Sequence, residues 1–317
     1  MEKTDVALNI FGKPWSTALS LLSLIDKCGP NVGKIWPQFE PVGSKYDTLN
    51  PYLILKYLTE KGYNVSPSQP ERWLELQPPS EDMLKSFESR SCIRYENAFE
   101  KSDAKYLMLI HNDVFFIKNL LEALLKNIGD AFIIGQLGQC WNCPASKESI
   151  TSKIMNCPPC SPDAYQDFKP TIKQLRGLYA EAKTQGIFAR PYDADNFNGE
   201  FEQNPWPLPE CRVNEWACLI NMDKIRNYCV PFGDAWPPGA YRLCAKNTLD
   251  IGVPFFRDLH QKNFRAKNFN IKPYLRHWVG TGKKTPIKYA QVEDNSKLLV
   301  EKYYPEFINW LKAEGKN

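Results

Sequence analysis

The stretch Lys105-Tyr-Leu-Met-Leu-Ile-His-Asn-Asp-Val114 decides the fold. From Tyr106 to Ile110 it is continuously apolar, without the alternation of a half-buried strand, so both faces of this strand must be covered. The run stops abruptly on His111, Asn112 and Asp113, which places three polar side chains at the strand's carboxyl end. Toward the N-terminus, Val6-Ala-Leu-Asn-Ile10 is a second short run, closed by Phe11-Gly-Lys-Pro14. Ser16 or Thr17 is placed to cap a helix in which Ala18, Leu19, Leu21, Leu22, Leu24 and Ile25 recur at helical spacing. Lys34-Ile-Trp36 reads as a further strand ahead of the turn-forming Gln38-Phe-Glu-Pro-Val-Gly-Ser44. Helical patterns follow from Pro51 to Leu58, Glu81 to Lys101 and Leu120 to Ile128, and Ala131-Phe-Ile-Ile-Gly135 reads as another buried strand.

Strands alternating with helices predict an α/β fold: a single doubly wound, mainly parallel sheet whose ligands lie outside the strand carboxyl ends. Between Gln139 and Arg212 the pattern fails, with frequent Pro, Asn and Cys and one helix between Pro170 and Lys183. The chain therefore divides into an α/β half (1–138), a cysteine-rich insertion (139–212) and a second half (213–317) completing the same domain. In that half Glu215 to Asn221 reads as a strand, Ile251 to Phe264 as helical, Ile271 to Trp278 as a last strand and Asn295 to Ala313 as a closing helix.

Composition narrows the classes. The 317 residues are 43% hydrophobic and 24% charged, which excludes disordered, collagen-like and coiled-coil chains. A net charge of +4, dispersed along the chain, gives no basic footprint for nucleic acid. No apolar run approaches the roughly 18 residues that cross a bilayer, and no signal-like segment follows Met1, so a cytoplasmic location is expected.

A carboxylate such as Asp113 at a strand's carboxyl edge is suited to hold a hard divalent cation, Mg²⁺ or Mn²⁺, whose other ligands are diphosphate oxygens. The residues alone also allow Asp113 to cap a helix starting near Ile117, with His111 a satisfied core histidine.

The order of these pieces resembles the GT-A type nucleotide-sugar glycosyltransferases of the family-2-like branch. The resemblance runs from Val6-Ala-Leu-Asn-Ile10 and Leu21-Leu-Ser-Leu24 through Phe39-Glu-Pro-Val-Gly-Ser44 and Arg94-Tyr-Glu-Asn97 to the stretch ending at Asp113, and resumes from Cys211 to Gly280. It implies that Asn9, Phe11 and Glu40 contact the base and ribose, and that Arg94, Asn97 and Asn112 approach the nucleotide. His111 stands where the family keeps its first aspartate, a departure that manganese would reconcile, because imidazole suits borderline metals, and that a metal-independent variant would also explain. His277, ending Tyr274-Leu-Arg-His277, completes the metal sphere or meets the diphosphate, and Lys283 and Lys284 lie just beyond. Asp250 is the expected general base of an inverting transfer to a hydroxyl on a glycan, lipid-linked or protein acceptor, with Asp258 the alternative. Trp206 and Trp236 offer aromatic faces for the acceptor sugar. Two other readings remain at this stage: a nucleotidyltransferase, which would want a more Gly-rich loop than Phe11-Gly-Lys-Pro14, and a non-enzymatic zinc-stabilised carbohydrate- or protein-binding module.

Independently, Cys140-Trp-Asn-Cys143 and Cys157-Pro-Pro-Cys160 form two C-x2-C turns of the kind that close a tetrahedral site around structural Zn²⁺. If they do, about one equivalent of zinc should copurify, and Cys143→Ser or Cys157→Ser should lower the soluble yield. Elemental analysis without zinc, together with two disulfides by mass spectrometry, would replace the ion with covalent links.

Overall fold

The computed structural model describes residues 3–40, 47–72, 78–138, 143–146, 169–186, 192–203, 211–277 and 286–316. Its centre is a six-stranded sheet built from β1 (Thr4–Ile10), β2 (Val32–Phe39), β3 (Tyr106–His111), β5 (Ile133–Leu137), β6 (Val213–Asn221) and β9 (Ala266–Asn268), in the order β2-β1-β3-β6-β5-β9. β1 is parallel to β2 and β3, and β5 to β9, whereas β6 runs antiparallel to both its neighbours. The sheet is thus mainly parallel, as expected, but with one reversed strand at its middle. Alternate β3 residues enter different cores: Met108 and Ile110 pack with the helix Pro14–Cys28, and Leu107 and Leu109 with Phe99, Phe255 and Phe256. The continuous apolar run of β3 serves both faces.

Several elements differ from the sequence expectations. The first helix begins at Pro14, so Ser16 and Thr17 lie inside its first turn rather than capping it. Glu81 to Lys101 is three short helices, Glu81–Lys85, Phe87–Ser91 and Glu96–Lys101, the first two capped by Ser80 and Ser86. The C-terminal helical region starts earlier than expected and is two helices, Pro286–Tyr303 and Pro305–Ala313, because Pro305 cannot continue the first. The last strand shrinks to β10 (Leu275–His277), which leaves the main sheet and pairs antiparallel with β4 (Val114–Phe116). No helix among the described residues is long and apolar enough to cross a membrane.

The described part of the insertion has more core than its composition suggested. Tyr179, on the helix Ile172–Thr184, packs with Tyr192, Phe197 and Phe201 in a third hydrophobic cluster that also holds Cys143 and Cys244. Cys140, Cys157, Cys160 and Trp206 lie outside the described residues, as do Lys283 and Lys284.

One long-range clamp fixes the carboxyl edge of β1. The buried Glu293 carboxylate accepts hydrogen bonds from Trp15 N (2.8 Å), Ser16 N (3.1 Å) and Ser16 Oγ (2.6 Å), and so takes up the free N–H groups that open the helix Pro14–Cys28. Glu293→Ala should strand these buried donors and cost on the order of 1–3 kcal/mol in urea unfolding. An unchanged midpoint and slope would show that the clamp contributes nothing.

Candidate active site

The chain past β3 turns tightly through Asn112 and Asp113 into β4, and β4 pairs with β10 so that His277 lies opposite Val114. This pairing brings together residues 166 positions apart: His111 Nδ1 lies 3.3 Å from His277 Nε2. Asp113 Oδ1 is 3.2 Å from His277 Nε2 and 3.8 Å from His111 Nδ1. Oδ1 is buried yet forms no well-directed hydrogen bond among the described residues, and the three ligand atoms all lie within 4.8 Å of one another. The other carboxylate oxygen, Oδ2, accepts from Lys13 Nζ at 2.7 Å.

Asp113 therefore does not cap a helix: the next helix, Leu120–Asn127, is capped by Asn119. His111 is not enclosed in an apolar core: it is 30% exposed and faces a second imidazole and a carboxylate. Burial and the neighbouring His277 lower the His111 imidazole from its ordinary 6.5 to about 3, so it is neutral and has a lone pair to offer. Burial acts to raise the Asp113 carboxyl, but His277 and the Lys13 ammonium outweigh it and hold the group well below its usual range. Two imidazoles and one ionised carboxylate fit a borderline divalent cation such as Mn²⁺ better than Mg²⁺. Trp216 stacks on His277, ring centroids 4.7 Å apart and planes 14° apart, and orients an imidazole whose Nδ1 has no hydrogen-bond partner among the described residues.

Trp216 reaches this position because β6 is bulged. Gly135 pairs with Cys218 but Leu137 with Val213, so two residues of β5 span five of β6. Bulges re-aim side chains beside functional sites. Just before the bulge, the fully buried Arg212 donates to Asp250 Oδ2 at 3.0 Å, and its Nε lies 3.7 Å from Glu215 Oε2. Asp250 stands one turn ahead of the helix Val253–Gln261 rather than at its first residue; the left-handed cap is Gly252, φ 78°. Asp258, in contrast, sits within that helix and accepts the backbone N–H of Trp236 (2.9 Å) and approaches Arg242 Nη1 (3.4 Å). Burial raises the Asp258 carboxyl, partly offset by that N–H and by Arg242.

The residues expected on the nucleotide side fall along the same sheet edge. Asn9, next to last in β1, is 6% exposed, and neither its Oδ1 nor its Nδ2 has a hydrogen-bond partner among the described residues. Phe11 follows at the turn, half-buried. Glu40, just past β2, is ion-paired with Arg94 at 2.9 Å. The Arg94 backbone bridges to Gly239, where an added Cβ would fall 2.1 Å from Arg94 O. Asn97 is buried in the helix Glu96–Lys101. Asn112 is committed to the fold, its amide donating to Gly12 O and Thr17 Oγ1 at 3.0 Å each. Trp236 is 6% exposed with the Arg242 guanidinium 4.7 Å over its ring, which leaves little of it to offer a sugar.

Sequence reading missed Lys13, Arg212, Glu215 and Trp216. Gly-Lys-Pro directly after a strand's carboxyl end is a signal that could have found Lys13; nothing local marks the bulge that delivers the other three.

The chain matches no protein-family model and no curated protein sequence. Among solved structures it is similar to a mannosyltransferase from Pyrobaculum calidifontis in complex with GDP-Man and Mn²⁺, with a TM-score of 0.42 and 7% identity over 84% of this chain. It is also similar to mouse xyloside xylosyltransferase 1, with a TM-score of 0.40 and 12% identity over 86% of each chain. A third similar structure is the WbbM bifunctional glycosyltransferase, with a TM-score of 0.43, 10% identity and 85% of this chain covered. The chain spans 55% of the mannosyltransferase and 39% of WbbM.

The lowered imidazole sets a pH dependence. Between pH 6.5 and about 3 the unfolded chain binds a proton on His111 that the folded chain does not, so stability rises with pH across that window and is lost as pH falls. In metal-free protein the slope from this group should reach at most about 1.4 kcal/mol per pH unit and be absent from His111→Gln. Parallel slopes for both proteins in urea titrations from pH 7 to 5 would contradict the assignment.

Proposed function

We propose that this protein is a glycosyltransferase that moves a sugar, a hexose or a related one, from a nucleoside-diphosphate sugar to a hydroxyl acceptor on a glycan, a lipid-linked molecule or a protein. The observation that carries this reading is the His111, Asp113 and His277 cluster at the carboxyl edge of the sheet, with one orphaned carboxylate oxygen and a lysine beside it. Bound there, a divalent cation, Mn²⁺ by the choice of ligands, supplies Lewis-acid stabilisation of the departing diphosphate. Asn9, buried with both amide atoms unspent, suits the edge of a nucleotide base. Arg94, held by Glu40, presents a cation on the same side.

In an inverting transfer the acceptor oxygen attacks the anomeric carbon as the bond to the diphosphate oxygen breaks, and the hydroxyl proton passes to a carboxylate on the acceptor side. Asp250 is assigned that proton. Arg212 fixes its position through one oxygen, whereas Asp258 has its carboxylate engaged by Trp236 and Arg242.

Calorimetry should show a nucleoside diphosphate, UDP or GDP, binding more tightly with Mn²⁺ than with EDTA, and Asp113→Asn abolishing the difference. Equal affinities for wild type and variant would remove Asp113 from the site. With a working donor and acceptor, Asp250→Asn should lose on the order of 10²–10⁴ in turnover with donor affinity nearly unchanged. The base assignment fails if Asp258→Asn is the inactive variant, and the inverting mechanism fails if the product retains the donor's anomeric configuration.

A further inference from the structure

The turn Phe11-Gly12-Lys13-Pro14 is more elaborate than a link from β1 to its helix requires. Gly12 and Lys13 both have left-handed backbones, at φ 54° and 51°. For lysine that conformation is uncommon, and here it is held from outside. Lys13 N donates to Tyr289 Oη at 2.6 Å, and that hydroxyl donates to Asp47 Oδ1 at 2.5 Å. Gly12 is required beneath it, because a Cβ there would lie 2.6 Å from Tyr289 Oη. The result is an ammonium on a side chain 8% exposed, aimed at the oxygen of Asp113 that faces away from the histidines. An ammonium has three donors; among the described residues Asp113 accepts one, and no hydrogen bond is formed by the other two.

The same geometry fixes the charge available for an anion. The N-terminus of the helix Pro14–Cys28, the ordinary backbone site for a phosphate after a first strand, is already filled by Glu293. Lys13 is left as the cation nearest the Asp113 carboxylate. The Asp113 carboxylate and the Lys13 ammonium paired with it cancel in formal charge. A divalent cation entering alone meets no net negative charge and a lysine on the far side of its own carboxylate ligand. A diphosphate supplies the negative charge that both cations need.

Resting on the glycosyltransferase reading of this site, we propose that Lys13 makes divalent-cation binding and diphosphate binding mutually dependent: it opposes the cation when the site holds no anion and contacts the diphosphate when both are present. Lys13 is thus a ligand-binding residue that couples the two occupants. Such coupling is reciprocal, each ligand raising the other's affinity by the same factor.

The test is calorimetric titration of Mn²⁺ into the full chain with and without saturating inorganic pyrophosphate, for wild type, Lys13→Gln and Lys13→Arg. In the wild type, pyrophosphate should raise Mn²⁺ affinity by about 5- to 150-fold, the usual span of coupling between sites. Lys13→Gln should bind Mn²⁺ alone several-fold more tightly than wild type, yet gain much less from pyrophosphate, a crossing that a merely unfolded or loosened site cannot give. Lys13→Arg keeps the charge and should behave as wild type. The proposal is overturned if Lys13→Gln binds Mn²⁺ alone no more tightly than wild type, or if its gain from pyrophosphate is undiminished. Should Lys13→Gln fail to fold, the wild type still decides, since Mn²⁺ binding indifferent to pyrophosphate also overturns it. Wild-type protein that binds no Mn²⁺ under either condition refutes the cation site itself, and this coupling with it.

Discussion

The carboxylate of Asp113 faces two ways, one oxygen toward a pair of imidazoles and the other toward a buried lysine, and much of the structure exists to keep it there. An ionised carboxylate removed from water is costly unless it is paired. The chain meets that cost with groups from three separate segments: His111 ends β3 just before the turn that carries Asp113, Lys13 comes from the loop after β1, and His277 arrives on β10. Because each of these depends on tertiary pairing, the site and the fold form together.

Two devices distant from the carboxylate make the arrangement rigid. The helix Pro286–Tyr303 reaches back across the molecule: Glu293 satisfies the start of the first helix, and Tyr289 holds the Lys13 backbone. On the other side, the bulged antiparallel β6 brings Trp216 against His277 and Arg212 against Asp250. The reversed strand matters here. Its beginning, not its end, meets the carboxyl ends of β3 and β5, so residues at the start of β6 share the edge with His111.

Much of the fold was legible because it rests on hydrophobic period and turn residues. The buried runs of β1, β3 and β5 announce themselves, and the abrupt change at His111 locates the edge where polar chemistry collects. Of the site, His111, Asp113 and His277 were legible as polar endings of apolar segments, and the structure places them together. What escaped the sequence was set by pairing partners rather than by local pattern. The direction of β6 follows from its neighbours, and its bulge from an out-of-register match to β5 around Gly135, where a Cβ would lie 2.8 Å from Val213. Lys13 looked like an ordinary turn residue because its partner is 100 residues away.

The central claim is that a divalent cation and a diphosphate meet at His111, Asp113 and His277. Anomalous scattering at the manganese edge, from crystals of the protein grown with Mn²⁺ and a nucleoside diphosphate, tests it most directly. The account predicts one Mn²⁺ peak bonded to Asp113 Oδ1 and at least one of the two imidazoles, with diphosphate oxygens completing the coordination and the base lying toward Asn9. Nucleotide bound elsewhere on the sheet, or a manganese peak with none of these three residues among its ligands, would contradict it.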